Sequence, residues 1–122
     1  MSENQPSVLV VDDDEMVREL YEGMLAKEDY EVAFAENGED ALAQIARHTP
    51  DAMVLDLSMP KMDGFGVLRS LSETKHQIKI LVVTARHAPE DIEKAISLGA
   101  SDYLAKPFDK KELLSRLSRL TR

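Results

Sequence analysis

Three apolar stretches of this chain each run without interruption into a polar side chain: Val8 to Val11 into Asp12, Asp13 and Asp14, Ala52 to Leu55 into Asp56, and Ile80 to Val83 into Thr84. Unbroken apolar runs bounded by turn-forming residues are the pattern of strands buried on both faces, and such strands belong to parallel sheets sandwiched between helices. Ligands of these sheets bind just beyond the carboxyl ends of the strands. That is where all of these polar side chains fall.

Around these runs the pattern alternates strand and helix five times. Strand Ser7 to Val11 precedes a helix from about Asp14 to Lys27, whose apolar positions Val17, Leu20, Met24 and Leu25 are predicted to face inward. Strand Glu31 to Ala35 precedes a helix from about Gly38 to His48 with Ala41, Leu42 and Ile45 inward. Strand Ala52 to Leu55 is followed by a polar loop and a helix from about Gly64 to Ser72 carrying Val67, Leu68 and Leu71. Strand Ile78 to Val83 leads to a helix from about Pro89 to Leu98, where Pro89 suits the first turn and Gly99 the stop. A last strand, about Asp102 to Ala105, leads to a helix from Lys110 to the end, striped by Leu113, Leu114, Leu117 and Leu120.

Strict alternation of this kind predicts a parallel sheet with right-handed crossovers. The second strand alternates apolar and polar or small residues and the fifth is short and half polar, so both suit edges; the first, third and fourth suit the centre. The order 2-1-3-4-5 meets both conditions, which makes the expected fold α/β: a flavodoxin-like, doubly wound (βα)5 sheet. With 122 residues, no linker and no repeat, residues 1–122 are expected to form one domain.

Composition narrows the function classes. Cysteine is absent, so any bound metal is held by oxygen or imidazole ligands. The apolar runs are too short to cross a bilayer, and Met1 to Asn4 lack the basic start of a signal peptide, so a cytoplasmic protein with no membrane partner is expected. A net charge of −8 argues against direct binding of a nucleic-acid backbone.

In the expected strand order Asp12 and Asp13 end the strand beside Asp56, Thr84 ends the strand on its other side, and Lys106 ends the next. Neighbouring strands lie roughly 4.8 Å apart, so these side chains can meet in one cleft. Three carboxylates repel one another unless a cation joins them, and an oxygen-rich site of this kind suits Mg²⁺. Lys106 and Thr84 then offer a positive charge and a hydroxyl donor for phosphoryl oxygens. Taken singly, each residue has a duller explanation. Asp14 caps the adjoining helix, Asp12 and Asp13 suit a solvated turn, Thr84 suits a helix entry and Lys106 a surface position. Asp56 resists this treatment, since it would leave a carboxylate at the edge of the core without a partner.

Other signals are weaker. Gly64, Phe65 and Gly66 lack the third glycine and acidic partner of a dinucleotide site and are read as a loop-to-helix turn. His48, His76 and His87 show no ligand spacing and are read as solvated. Tyr103 reads as an amphipathic edge residue.

With these residues in hand, the chain resembles the response-regulator receiver domain of two-component signalling over essentially its whole length. The resemblance is carried by VLVVDDDE (Val8 to Glu15), DAMVLDLSMPKMDGF (Asp51 to Phe65), LVVTA (Leu81 to Ala85) and GASDYLAKPF (Gly99 to Phe108). It implies that Asp56 accepts a phosphoryl group from a phosphohistidine on a sensor histidine kinase or phosphotransfer domain. By the same resemblance Mg²⁺ is held by Asp13, Asp56 and the backbone carbonyl of Ser58, with Asp12 assisting through water, and Thr84 and Lys106 bind the phosphoryl oxygens. Tyr103 matches the aromatic switch position that responds to Thr84, Ala85 the small residue that leaves room for it, and Lys106–Pro107 a cis bond. Ser58 and Arg86 stand at positions that tune the lifetime of the phosphoryl group.

The protein so implied is a switch that assists its own phosphotransfer and dephosphorylation, not a conventional enzyme. Its output would run through an output domain or a homodimer formed on the face of helix Pro89 to Leu98, strand Asp102 to Ala105 and helix Lys110 to Thr121. It is expected to be a single-domain regulator or a module of a longer one. Two rivals are weighed. A haloacid-dehalogenase-type phosphatase shares the aspartate and Mg²⁺, but that family has Thr or Val where this chain has Met16, and no acidic pair follows a later strand. A phosphorylation-independent interaction module would need a broken acidic site, and this one is intact.

Overall fold

The computed structural model describes residues 5–86 and 88–122, so the readings made of Met1 to Asn4 and of His87 lie outside the described residues. The strands are β1 (Ser7–Val11), β2 (Glu31–Ala35), β3 (Ala52–Leu55), β4 (Lys79–Thr84) and β5 (Asp102–Ala105). They alternate with α1 (Glu15–Leu25), α2 (Gly38–Arg47), α3 (Gly64–Ser72), α4 (Pro89–Ser97) and α5 (Lys110–Thr121). All strands pair in parallel in the order β2-β1-β3-β4-β5. The continuous apolar strands are central and the half-polar ones are edges, as the sequence pattern predicts.

Successive strand residues point to opposite faces of the sheet and feed two separate cores. Leu9, Val11, Met53, Leu55, Ile80 and Val82 pack with Ala41 of α2, Phe65, Val67, Leu68 and Leu71 of α3, and Ala95 of α4. Val8, Val10, Val54, Leu81, Val83 and Leu104 pack with Tyr21 and Leu25 of α1 and Leu113 and Leu117 of α5. Two covered faces are the physical reason the central strands, after the polar first residues Ser7 of β1 and Lys79 of β4, stay apolar until they end. No helix of the described residues is long and apolar enough to cross a membrane.

Side-chain caps set most helix starts. Asp14 lies outside α1 and accepts from the N–H groups of Met16 and Val17 at 2.9 and 3.4 Å, which is the capping role read for it. Asn37 and Asp63 cap α2 and α3, and Asp109 with Glu112 forms a capping box on α5. Pro89 opens α4, and Gly99 follows it at φ 113°, a conformation that suits glycine.

Three details differ from the sequence reading. Leu20 is not an inward residue of α1: it is 61% exposed, and Tyr21, one position on, is buried in its place. Strand β4 begins and ends one residue later than predicted, because the Ile78 N–H bonds the His76 ring at 3.1 Å while Thr84 pairs with Ala105. Helices α1, α2 and α4 stop one or two residues early; the Glu28 N–H closes a turn on Leu25, and His48 and Leu98 serve as C-caps.

Helix α3 presses directly on the segment that follows β3. Gly64 donates its N–H to the Leu57 carbonyl at 3.0 Å, and a Cβ at this position would collide with the Asp56 carbonyl oxygen and lie 2.7 Å from Leu57 Cα. Gly64 is therefore the loop-to-helix turn residue, and its missing side chain is what lets α3 hold Asp56 in register. Gly64→Ala is expected to cost about 2 kcal/mol through overpacking against backbone that cannot yield. Urea denaturation checks this, and a variant as stable as the parent would contradict it.

Candidate functional site

The strand ladders continue one residue past the strands, and that extension places the functional side chains. Asp12 N–H donates to the Ala35 carbonyl at 3.2 Å, Asp56 N–H to Val11 at 3.1 Å, and Lys106 N–H to Thr84 at 2.9 Å. Each residue that follows a strand is thus pinned to its neighbour before the chain turns away. Asp12, Asp56, Thr84 and Lys106 consequently converge at the carboxyl ends of β1, β3, β4 and β5.

The centre of the site is the Lys106 ammonium, which donates to Asp12 Oδ2 at 2.9 Å and to Asp56 Oδ2 at 3.2 Å. Both carboxylates are nearly shut off from solvent, at 1% and 7% exposure. Their other oxygens are also used: Asp12 Oδ1 accepts from the Asp14 N–H at 3.0 Å and Asp56 Oδ1 from the Ser58 N–H at 3.1 Å. Arg18, four residues after the α1 cap, reaches back to donate to the Asp12 carbonyl at 2.7 Å. Thr84 is fully buried, and its Oγ1 accepts from the Arg86 N–H at 2.9 Å.

Asp13 completes the cluster. It is exposed, yet oxygens of Asp12, Asp13 and Asp56 lie within 4.8 Å of one another. Three carboxylates with one ammonium leave two formal negative charges, and the donor set is all oxygen. That arrangement fits a hard divalent cation such as Mg²⁺. No histidine belongs to the cluster among the described residues.

The electrostatics show what bringing these groups together costs. Burial pushes the Asp56 carboxyl above its ordinary value and the Asp12 charge adds to this, against the Ser58 N–H and Lys106, which favour the carboxylate. For Lys106 burial works against the ammonium, but the hydrogen bond to Asp12 and the charge of Asp56 outweigh it and push the amine up. Burial and then the Asp12 and Asp56 charges push the Tyr21 phenol far above its usual range.

Four residues of the predicted constellation therefore meet through their side chains, Asp12, Asp13, Asp56 and Lys106, while Thr84 ends the adjacent strand with its hydroxyl oxygen held by the Arg86 N–H. Ser58 joins through its N–H, and the Lys106–Pro107 peptide bond is cis. Tyr103 stands apart from the acidic cluster. It lies on the edge strand beside Val82, half-buried against the α2–α3–α4 core. Arg18 and Tyr21 went unread in the sequence. Helical spacing from Asp14 would have placed Arg18 above the strand end, whereas only packing distinguishes Tyr21 from Leu20.

Beside the site a groove of about 340 Å³ runs between α1 and the start of the segment before α5. Leu20, Tyr21, Met24, Lys106, Pro107 and Phe108 are among the residues that line it. Met16, 74% exposed, stands on the same helix.

Residues 8–118 match the family model of the response regulator receiver domain. Response regulator MprA of Mycobacterium leprae is 44% identical over 115 residues, which cover 94% of this chain and 50% of that protein. Response regulator MprA of Mycobacterium avium is 45% identical over the same shares. The chain thus spans about half the length of these curated relatives. Among solved structures, the chemotaxis protein CheY4 of Vibrio cholerae superposes with a TM-score of 0.89 at 31% identity, over 95% of this chain and 98% of that one. The receiver domain of Francisella response regulator 1452 gives 0.90 at 29% identity, over 96% and 97%.

Because Lys106 alone among the described residues bridges the two buried carboxylates, its removal and that of the Asp56 charge act in opposite directions in metal-free buffer. Lys106→Met is expected to cost roughly 3 kcal/mol by stranding buried charge. Asp56→Asn is expected to raise the melting midpoint by a few degrees by relieving repulsion with Asp12. Thermal and urea unfolding in chelator check both, and equal shifts of one sign would contradict the account.

Proposed function

This chain belongs to the response regulator receiver domain family of two-component systems, and from that premise we propose that it is a phosphorylation-controlled switch with Asp56 as phosphoacceptor. The observation that supports the reading is that the Asp56 carboxylate, grouped with those of Asp12 and Asp13, also accepts from the Lys106 ammonium, with Thr84 ending the adjacent strand. Asp12, Asp13, Asp56 and the Ser58 carbonyl would hold Mg²⁺, which when bound supplies positive charge to the phosphoryl oxygens.

An Asp56 carboxylate oxygen attacks the phosphorus of a phosphohistidine. The P–N bond breaks as the O–P bond forms, and the imidazole leaves with the electron pair and takes a proton from solvent. Lys106, already 3.2 Å from Asp56, exchanges its carboxylate partner for a phosphoryl oxygen. Thr84 turns its hydroxyl to donate to another. These residues stabilise charge where it develops; in dephosphorylation a water oxygen attacks the same phosphorus, the O–P bond to Asp56 breaks, and the carboxylate is restored as inorganic phosphate leaves.

The donor is a sensor histidine kinase or phosphotransfer domain, and the groove beside α1 with exposed Met16 and Leu20 is where its histidine-bearing helices would seat. Output runs through the face of α4, β5 and α5 to an output domain or a second copy, with Tyr103 moving inward beside Ala85 when Thr84 is drawn toward the phosphoryl group. Moving such a pair of arrangements from 1:99 to 99:1 takes roughly 5.5 kcal/mol of differential stabilisation, a quantity that charge-assisted bonds to a phosphoryl group can largely supply. The unit acts in the cytoplasm, as one receiver domain across residues 1–122, without itself gripping nucleic acid or membrane.

Intact-mass measurement with acetyl phosphate and Mg²⁺ is expected to show one labile adduct on the parent protein and none on Asp56→Asn. Full labelling of that variant would refute the assignment, and steady turnover of a generic phosphate ester would favour a phosphatase instead. Millimolar Mg²⁺ should raise the melting midpoint of the parent more than that of Asp13→Asn, because a ligand selective for the native state stabilises it. Amide NMR with beryllofluoride in place of the phosphoryl group should shift residues 89–121 as well as the loops around Asp13, Asp56 and Thr84. Shifts confined to those loops would place the switch elsewhere.

A further inference from the structure

We propose that Phe65, Arg86 and Lys94 form a latch that holds α4 in its resting place and couples that place to the state of Thr84. Helix α4 is weakly anchored by ordinary packing. Its one buried side chain is Ala95, Ile96 is 53% exposed, and its N-cap Ala88 makes no side-chain capping bond, whereas Asp or Asn caps the other four helices. Something else must fix where it lies.

The ring of Phe65 in the first turn of α3 supplies that. It is 2% exposed, and two cations cover it: the Lys94 ammonium of α4 at 4.3 Å from the ring centroid and the Arg86 guanidinium carbon at 5.2 Å. Both distances lie within cation–π range, and such contacts strengthen where water is excluded. Two positive charges on one ring repel each other, and the Asp91 carboxylate in the first turn of α4 offsets this by pairing with Arg86 at 3.1 Å. That ion pair alone would contribute little, since Arg86 is 45% exposed. The buried aromatic surface beneath it sets this cluster apart from an ordinary surface pair.

The same arginine is tied to the site. Its backbone N–H donates to Thr84 Oγ1 at 2.9 Å. If Thr84 turns its hydroxyl toward a phosphoryl group, the Arg86 N–H must follow its acceptor or lose it, and following draws the guanidinium off Phe65 and Asp91. Phe65, Arg86 and Lys94 are thus positioning residues, which resist the movement of α4 until the site is occupied. The coupling half of this inference rests on the reading of Asp56 as phosphoacceptor, while the holding half stands without it.

Amide hydrogen exchange on the whole chain tests the latch. Arg86→Met and Phe65→Leu are each expected to speed exchange in residues 90–97 on the order of tenfold relative to β3, and the double variant should fall short of the product of the single effects because they share one ring. Arg86→Met leaves the core intact and decides the matter even where Phe65→Leu loosens the whole domain. Unchanged α4 exchange in Arg86→Met, or single effects that multiply, would overturn the latch. Coupling is read with Lys94→Met, which touches neither Thr84 nor the acidic cluster: releasing α4 should tighten beryllofluoride binding in Mg²⁺ several-fold. Equal affinity in the parent and Lys94→Met removes the coupling. Failure of every form to bind beryllofluoride would instead overturn the phosphoacceptor reading, with the exchange result still deciding whether the latch exists.

Discussion

One ammonium group holds the functional end of this molecule together. Lys106 Nζ sits between carboxylates of Asp12 and Asp56, whose positions in the chain are 94 and 50 residues away. Neither acid could be buried there alone, because an unpaired carboxylate out of water is costly. Three carboxylates remain only partly neutralised by one lysine, so the site keeps a standing excess of negative charge. That excess disfavours the metal-free fold, and under the proposed function it is what a cation and phosphate oxygens would relieve. Stability is given up at the proposed binding site, a common feature of functional sites.

The sheet makes this convergence possible at little conformational cost. Because β1, β3 and β4 are buried on both faces, they are adjacent and central, and the ladder bonds of Asp12, Asp56 and Lys106 continue the sheet past its last apolar residue. The two helical layers then differ in character. The α1–α5 layer leaves a groove lined by Leu20 and Lys106, with exposed Met16 on the same helix as Leu20. The layer of α2, α3 and α4 includes α4, which buries only Ala95 and starts without a side-chain cap, the two features that leave it freer to shift than its neighbours. In the proposed function the input surface lies on the α1–α5 layer, while the output face of α4, β5 and α5 wraps the β5 edge and takes in one helix from each layer.

How far the sequence could be read depended on whether a residue's role was local. Asp14 as a helix cap, Pro89 as a first-turn residue and Gly99 as a stop all follow from backbone geometry within a few residues, and each stands as read. The strand runs β1, β2, β3 and β5 match their expected bounds because alternation and apolar continuity are themselves local signals. Leu20 and Tyr21 differ by one position on a helix, and composition favours the leucine for the core. The tyrosine lies there because the Phe108 ring, 5.7 Å away, and the α5 leucines offer it a surface. The later start of β4 likewise turns on a bond from Ile78 to the His76 ring that no periodicity encodes.

By itself the sequence determined the α/β class, the strand order, the Asp14 cap with the Pro89 start and Gly99 stop, and the set of acidic, hydroxyl and amine groups that follow or end the strands, because each rests on local pattern. Only the tertiary structure decided which oxygen meets which donor: that Lys106 bridges two carboxylates, that Ser58 and Asp14 amides hold the other oxygens, and that Arg18 closes on the Asp12 carbonyl. It also decided that Phe65 lies beneath two cations from another element. These are contacts between residues far apart in the chain, formed after the sheet has fixed its register. Their distances of about 3 to 5 Å depend on packing that one-dimensional spacing does not carry.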